Sequence, residues 1–208
     1  ARHIDGGGAL LSVAAGNPDL LSGLPVERVS AFTQGASRAM QPALERIGKN
    51  ATNWLVVSGA APAWAQRVFP GVPVGTAVEK LWDALFAMCR IEGPNAGPGW
   101  AAHMQALGRR RDFMNERRYS ALKYQGPGTE LTLGLPEGHL WVSGQSTTTS
   151  GITFCANMPT EEVFCMPHKE RVDGVVKASK PLSYGGVMIE DFSVRFAGGR
   201  VTEVKAAK

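Results

Sequence analysis

The sequence predicts an α/β domain with a small parallel sheet, followed by a mostly antiparallel β domain, an α+β arrangement overall. Up to about residue 118, short apolar runs alternate with segments of helical periodicity, the pattern of βα units. From residue 119 on, apolar and polar residues alternate, and turn signals recur at short intervals. We therefore expect one domain over residues 1–118 and a second, β-rich domain over residues 119–208.

The composition is globular, because 44% of the 208 residues are hydrophobic and 19% are charged. No apolar run approaches the roughly 18 residues that a membrane-spanning helix needs. The three cysteines, Cys89, Cys155 and Cys165, are odd in number and have no CxxC spacing. This usage disfavours a disulfide framework or a thiolate zinc site and favours a reducing compartment.

The first half offers two buried-strand candidates, residues 9–15 and 53–58. Helical periodicity predicts helices over residues 25–48, with Pro42 kinking or dividing the helix, and over residues 61–69. Thr76, with Glu79 three residues on, predicts the capped start of a helix that runs to about Cys89. That helix should bury Val78, Leu81, Trp82, Leu85 and Phe86. After a loop over residues 91–99, residues 100–118 form an amphipathic helix with Trp100, Met104, Leu107 and Phe113 inward.

The second half consists of strand-like runs parted by glycine and proline turns. Strands are expected over residues 119–124, 129–135, 139–142, 152–155, 171–178, 187–189, 192–196 and 201–204.

The chemistry centres on residues 155–174, which hold two adjacent carboxylates, Glu161 and Glu162, after Pro159-Thr160. One interpretation is an exposed acidic pair at the start of a helical turn. The other is that one carboxylate binds a divalent cation, since its oxygens suit such ions. Successive residues of an extended chain point to opposite sides, so only one of the two would face a site.

The remaining candidates have simpler explanations. None of the four histidines forms an HxH or HxxxH pair. His139 is interpreted as a packed or hydrogen-bonded sheet histidine, and His168 as a solvent-exposed loop residue. The chain has neither a G-x-S-x-G nor a P-loop motif. The run Arg109-Arg110-Arg111 is the main argument for nucleic-acid binding beyond the net charge of +4, but the exposed face of a helix is the favoured explanation of this run.

Several longer segments together resemble the thermophilic aminopeptidase family, the aminopeptidase T and aminopeptidase S type dinuclear metallopeptidases. They are GPGTEL (126–131), GLPEGHLW (134–141), NMPTEEVF (157–164), PHKERV (167–172) and GVVKASKPL (174–182). In the first half, the segments at Asn53-Trp54, Ala63-Trp64-Ala65, Val68-Phe69-Pro70-Gly71 and Leu81-Trp82 follow the order of the family. The resemblance therefore covers essentially the whole chain.

The resemblance implies a cytoplasmic metalloaminopeptidase that releases N-terminal amino acids from peptides. Two divalent ions, zinc, cobalt or manganese, would polarise the scissile carbonyl and activate water. The second Glu of the PTEEVF motif binds metal in that family, and it corresponds to Glu162. The resemblance also implies a homodimer and peptide substrates, with neither nucleic acid nor membrane as partner.

The same resemblance implies that this chain carries only part of the site. The other ligands (a Glu, two His and an Asp) and the catalytic Glu and Tyr of the family are expected after Lys208, and a further segment before Ala1. We therefore expect no catalytic residue within the chain and no activity of these 208 residues alone. The alternative is a non-catalytic relative that binds peptide or a partner subunit.

Overall fold

Two compact groups of residues make up the chain in the computed structural model, which describes residues 2–17, 19–21, 23–91, 93, 97–184 and 187–207. The first unit comprises Ala1–Arg109 and Ser143–Glu162, and the second comprises Arg110–Val142 and Val163–Lys208. Contacts thus group residues 143–162 with the first half of the chain. The expected domains, 1–118 and 119–208, stay a prediction about the folding units of the protein.

The predicted fold class is confirmed, because helices accompany a small parallel sheet and a larger antiparallel sheet follows. The helices are α1 (Arg2–Asp5), α2 (Val26–Gly48), α3 (Pro62–Val68), α4 (Val74–Met88) and α5 (Gly97–Arg117). The strands of the first half are β1 (Leu10–Ala14) and β2 (Trp54–Ser58). The later strands are β3 (Ala121–Gly126), β4 (Thr129–Gly134), β5 (Val142–Ser143), β6 (Gln145–Thr147), β7 (Thr153–Cys155), β8 (Asn157–Met158), β9 (Val163–Phe164), β10 (Val172–Lys177), β11 (Leu182–Tyr184), β12 (Val187–Ile189), β13 (Ser193–Ala197) and β14 (Arg200–Lys205).

The first unit is built on the parallel sheet, in the order β1-β2-β8. Strand β2 pairs in parallel with β1 along its whole length and with the two residues of β8. Helices α3 and α4 pack together through Ala65, Ala77, Leu81 and Leu85, which are all buried. Helix α5 contributes the fully buried Leu107, whose carbonyl accepts a hydrogen bond from the Ser143 hydroxyl at 3.3 Å.

Three local expectations differ from the structure. Strand β1 was expected to be buried, but Leu11 and Val13 are exposed, because the described residues leave its side chains largely uncovered. Helix α4 begins at Val74 after Pro73, so Thr76 is not its cap; proline fixes the backbone angle that a helix start needs. In α4, Leu81 and Leu85 are buried as expected, while Trp82 and Phe86 stack on each other and remain partly exposed.

Two further differences concern α2 and α5. Helix α2 runs through Pro42 as one element, so the proline does not divide it, although it removes one backbone hydrogen-bond donor. In α5, Phe113 is exposed rather than inward, and the Arg117 guanidinium lies 5.0 Å from its ring. Among the described residues, no helix is long and apolar enough to cross a membrane.

The second unit contains a five-stranded antiparallel sheet in the order β14-β13-β10-β4-β3. Leu131 on β4 and Val172 on β10 are buried in its core, together with Leu135 and Trp141. His139 lies in the loop before β5 rather than in a strand. The turn between β13 and β14 contains Gly198 and Gly199, both with positive φ, and the Gly199 amide donates to the Val172 carbonyl at 2.9 Å.

These two glycines provide a matched test of close packing in the turn. Alanine at either position adopts a backbone conformation that costs about 1–2 kcal/mol for an L-residue. A Cβ atom at Gly198 has no heavy atom within 4 Å, whereas one at Gly199 overlaps the Lys169 carbonyl. We therefore expect Gly199→Ala to lower the free energy of unfolding by more than Gly198→Ala does, by at least about 1 kcal/mol, since backbone must shift. Denaturant unfolding of both variants measures this difference, and equal losses would contradict the overlap.

Candidate functional site

The loop that holds the two glutamates begins at the carboxyl end of the parallel sheet. Strand β8 ends at Met158 beside the end of β2, and the Val56 amide donates to the Ala156 carbonyl at 2.9 Å. Pro159–Glu162 follow directly. Open α/β sheets bind their ligands outside the carboxyl ends of parallel strands. The position of this loop in the first unit is therefore one at which a ligand site is expected.

An open cavity of about 460 Å³ lies at this place. Val56 and Ser58 of β2 form part of its wall, and both residues of β8 form another part. Pro159, Thr160, Glu161 and Glu162 complete the described lining. The cavity thus combines an apolar wall with carboxylates at its edge, the combination that small-molecule sites use for burial and orientation.

Glu161 is held in an ion pair with Arg90, which immediately follows the C-cap of α4. The Arg90 Nη1 and Nη2 atoms lie 2.8 Å and 3.1 Å from the two carboxylate oxygens of Glu161. This is a bidentate pair, in which two parallel N–H groups donate to one carboxylate. Arg90 Nη1 also donates to the Met88 carbonyl at 2.8 Å, so the guanidinium is fixed from its own helix end as well.

His103 on α5 holds the residue before Glu161. Its Nε2 atom lies 2.7 Å from the Thr160 carbonyl, which can only accept, so Nε2 carries the proton. The same Nε2 lies 3.5 Å from Glu161 Oε2. The His103 side chain is only 9% exposed, and its ring is 5.7 Å from that of Trp100. His103 is therefore a fixed, interior anchor for this loop.

Glu162 differs from its neighbour in its surroundings. Its side chain is exposed, and within the described residues its carboxylate makes neither a hydrogen bond nor an ion pair. The two carboxylates thus differ in their partners: both residues line the cavity, but Glu161 is paired with Arg90, whereas Glu162 has no polar partner among the described residues. This arrangement is compatible with Glu162 as a metal ligand, which stays a prediction.

Glu162 itself would supply one ligand of the predicted metal site. Carboxylate oxygen is a ligand that zinc, cobalt and manganese all accept. Among the described residues, however, no group of three or more His, Cys, Asp and Glu side chains could hold a metal ion. Glu162 therefore fits a divalent ion as a single donor, and a complete site needs ligands from outside these residues.

The three cysteines do not add to that set of ligands. Burial raises the pKa of the thiols of Cys89, Cys155 and Cys165, which disfavours the thiolate that a metal or a nucleophilic reaction requires. The Cys155 thiol donates to the Asn157 carbonyl at 3.2 Å. All three cysteines are free.

The other two histidines considered from the sequence lie in the second unit. His139 Nδ1 donates to the Pro136 carbonyl at 2.9 Å, and its ring packs edge-on against Trp141 at 6.2 Å. The expected packed, hydrogen-bonded role is thus found, in a loop instead of a sheet. His168 is half-buried rather than fully exposed, because its amide donates to the Gly134 carbonyl and its Nδ1 accepts from the Glu170 amide.

Sequence reasoning missed Arg90 and His103. His103 carried one usable signal: it lies three residues after Trp100 and four before Leu107, on the inward face of α5. Arg90 carried none, since its partner lies 71 residues away along the chain.

Comparison with known proteins places the whole chain in one group. The model of the thermophilic metalloprotease family (M29) matches residues 1–208. The chain is 46% identical over 208 residues to aminopeptidase T of Thermus aquaticus, covering 100% of this chain and 51% of that protein. It is 44% identical over 202 residues to aminopeptidase AmpS of Bacillus subtilis strain 168, covering 97% and 49%.

A solved structure gives the same relationship. Wild-type AmpT from Thermus thermophilus superposes with a TM-score of 0.91 at 45% identity, covering 100% of this chain and 51% of that one. The chain thus spans about half the length of the curated relatives that it matches.

The surroundings of Glu162 lead to a stability prediction. Because its carboxylate has no partner among the described residues, we expect Glu162→Gln to change the free energy of unfolding of the metal-free protein by less than about 0.5 kcal/mol. Chemical denaturation in the presence of a chelator measures this. A loss well above 1 kcal/mol would mean that the carboxylate has a structural partner and is not available to a ligand.

Proposed function

Because this chain belongs to the thermophilic metalloprotease family M29, we propose that the protein is a metal-dependent aminopeptidase that releases N-terminal amino acids from peptides. The relatives named aminopeptidase T and aminopeptidase AmpS, at 46% and 44% identity, support the activity. The structural observation that carries the proposal is the available Glu162 carboxylate at the carboxyl end of the parallel sheet.

We propose Glu162 as a metal ligand and two divalent ions, zinc, cobalt or manganese, as the cofactors. When bound, such ions polarise a peptide carbonyl and activate water for attack on it. The contribution of this chain is a negatively charged donor in a fixed loop, beside a wall formed by Val56, Met158 and Pro159.

The site in this chain is partial. Since the described residues offer no group of three potential ligands, the remaining ligands and the catalytic acid–base groups must come from outside them. The proposal accordingly assigns no catalytic residue to this chain.

We also propose the partners and the location of the protein. Peptides are the proposed substrates, a homodimer the proposed assembly, and the cytoplasm the proposed location, with no role for nucleic acid or membrane. The free cysteines are compatible with a reducing compartment. The second candidate, a non-catalytic module that binds peptide or a partner, is favoured only by the incomplete ligand set.

The activity has a direct test in the intact protein. We expect Glu162→Ala to lower the metal-dependent release of amino-acid arylamides by more than about 100-fold, since a carboxylate that would bind the ion directly is lost. Glu170→Ala is the matched control, because Glu170 is equally a loop glutamate, 71% exposed, and lies in the second unit. Unchanged activity of the Glu162 variant would refute its role as a ligand.

The partial site makes a separate prediction for the 208-residue chain. After dialysis, we expect elemental analysis to find fewer than two tightly bound divalent ions per chain, and a leucine-arylamide assay to show no turnover. Single carboxylates do not hold zinc, whose protein sites use three or four ligands. Two retained ions with activity would mean that His139 or His168 acts as a ligand after all.

A further inference from the structure

We propose that Arg90, His103 and Glu161, together called the Glu161 clamp, are positioning residues that fix Glu162 as a metal ligand. The inference rests on the proposed function and deepens it. It assigns no direct bond to the ion to these residues, and Arg90 and His103 lie outside the PTEEVF motif.

The need for such a device follows from the isolation of Glu162. Among the described residues its carboxylate has neither a hydrogen-bond nor an ion-pair partner, so the backbone of the loop largely determines where the carboxylate lies. Metal affinity depends on ligand placement within a fraction of an ångström, and outer groups that orient a ligand are nearly as important as the ligand itself.

The clamp fixes that backbone at the two residues before Glu162. His103 Nε2 holds the Thr160 carbonyl at 2.7 Å, and Arg90 holds the Glu161 carboxylate at 2.8 Å and 3.1 Å. One anchor comes from α5 and the other from the end of α4. Because the main chain is held at 160 and the side chain at 161, rotation of the loop about its own axis is prevented. The direction of the next side chain is thereby set.

The anchors are themselves constrained. Arg90 Nη1 donates to Met88 as well as to Glu161, and the Arg90 amide donates to the Ala87 carbonyl at 3.0 Å. His103 is almost completely buried beside Trp100. An ion pair between partly exposed charges contributes little to the free energy of unfolding. The many restraints on Arg90 and His103 therefore favour orientation of the loop as their role.

The clamp also separates the two carboxylates electrostatically. Both oxygens of Glu161 accept hydrogen bonds from a guanidinium, which cannot be deprotonated. Glu161 is therefore prevented from competing with its neighbour for a cation. Removal of Arg90 would loosen the loop and take away the bidentate partner of Glu161.

Zinc titration of the intact metal-free protein, in competition with a chromophoric chelator, tests the clamp. We expect Glu161→Gln and Arg90→Met each to weaken zinc affinity by about 10- to 100-fold, the effect of losing a group that orients a ligand. Arg90→Lys keeps the charge but loses the bidentate geometry, so its loss should be smaller than that of Arg90→Met. Glu170→Gln, the same change at an exposed position, should bind zinc as the wild type does.

Two further measurements separate positioning from simple loss of structure. The double variant Arg90→Met/Glu161→Gln should bind zinc no more weakly than the weaker single variant, because the two residues act through each other. In the arylamide assay, saturating zinc should restore most of kcat to the clamp variants but not to Glu162→Gln. Thermal unfolding of each metal-free variant is recorded in parallel, and a midpoint near that of the wild type makes the affinities comparable.

The outcomes for the clamp and for the proposed function are distinct. If Glu162→Gln loses zinc while the clamp variants stay within twofold of the wild type, the clamp is overturned and Glu162 remains a ligand. If Glu162→Gln itself binds zinc normally and stays active, the proposed ligand role fails, and with it the purpose assigned to the clamp. Additive losses in the double variant would likewise overturn the statement that Arg90 and Glu161 act as one unit.

Discussion

The pairing of β8 with β2 is the contact on which the arrangement of the site depends. It consists of two residue pairs, Val56 with Asn157 and Val57 with Met158, about 100 residues apart in sequence. So short a pairing needs support, and the returning segment has it: the Thr149 amide donates to the Asn50 carbonyl at 2.9 Å, and the Phe154 ring lies 6.3 Å from Trp54. These contacts bring the loop with the glutamates to the carboxyl end of the parallel sheet.

Local sequence patterns were sufficient for the elements that have periodicity of their own. The helical spacing around Leu81 and Leu85 identified α4, and alternation identified β4 and β10. Strand β8 has only two residues, so no period can be recognised in it, and its membership of the parallel sheet is a long-range fact. The predicted start of α4 is wrong for a different reason. Pro73 and Thr76 are both acceptable near a helix start, and the helix begins directly after the proline.

At the site, too, some features follow from local sequence and others depend on contacts between residues far apart in the chain. Alternation along an extended chain predicts that only one of Glu161 and Glu162 faces a ligand, but it does not say which. In the structure the choice is associated with Arg90, which binds Glu161 across 71 residues of sequence. The family resemblance identified Glu162 independently, from a motif that contains neither Arg90 nor His103. The role of Glu162 as a metal ligand stays a prediction.

The contacts that hold the glutamate loop have a thermodynamic consequence for the binding of a cation. Among the described residues, the glutamate loop is held by Arg90 at the end of α4, by His103 on α5 and by the pairing of β8 with β2, all in the first unit. Protein contacts of this kind favour a loop that is ordered by folding. A ligand that is already in place loses little conformational entropy when it binds, so more of the interaction with the ion appears as affinity. In the proposed function, the first unit would supply one prearranged donor, and the affinity for the ion would depend on the other ligands. The relatives that this chain matches are about twice its length.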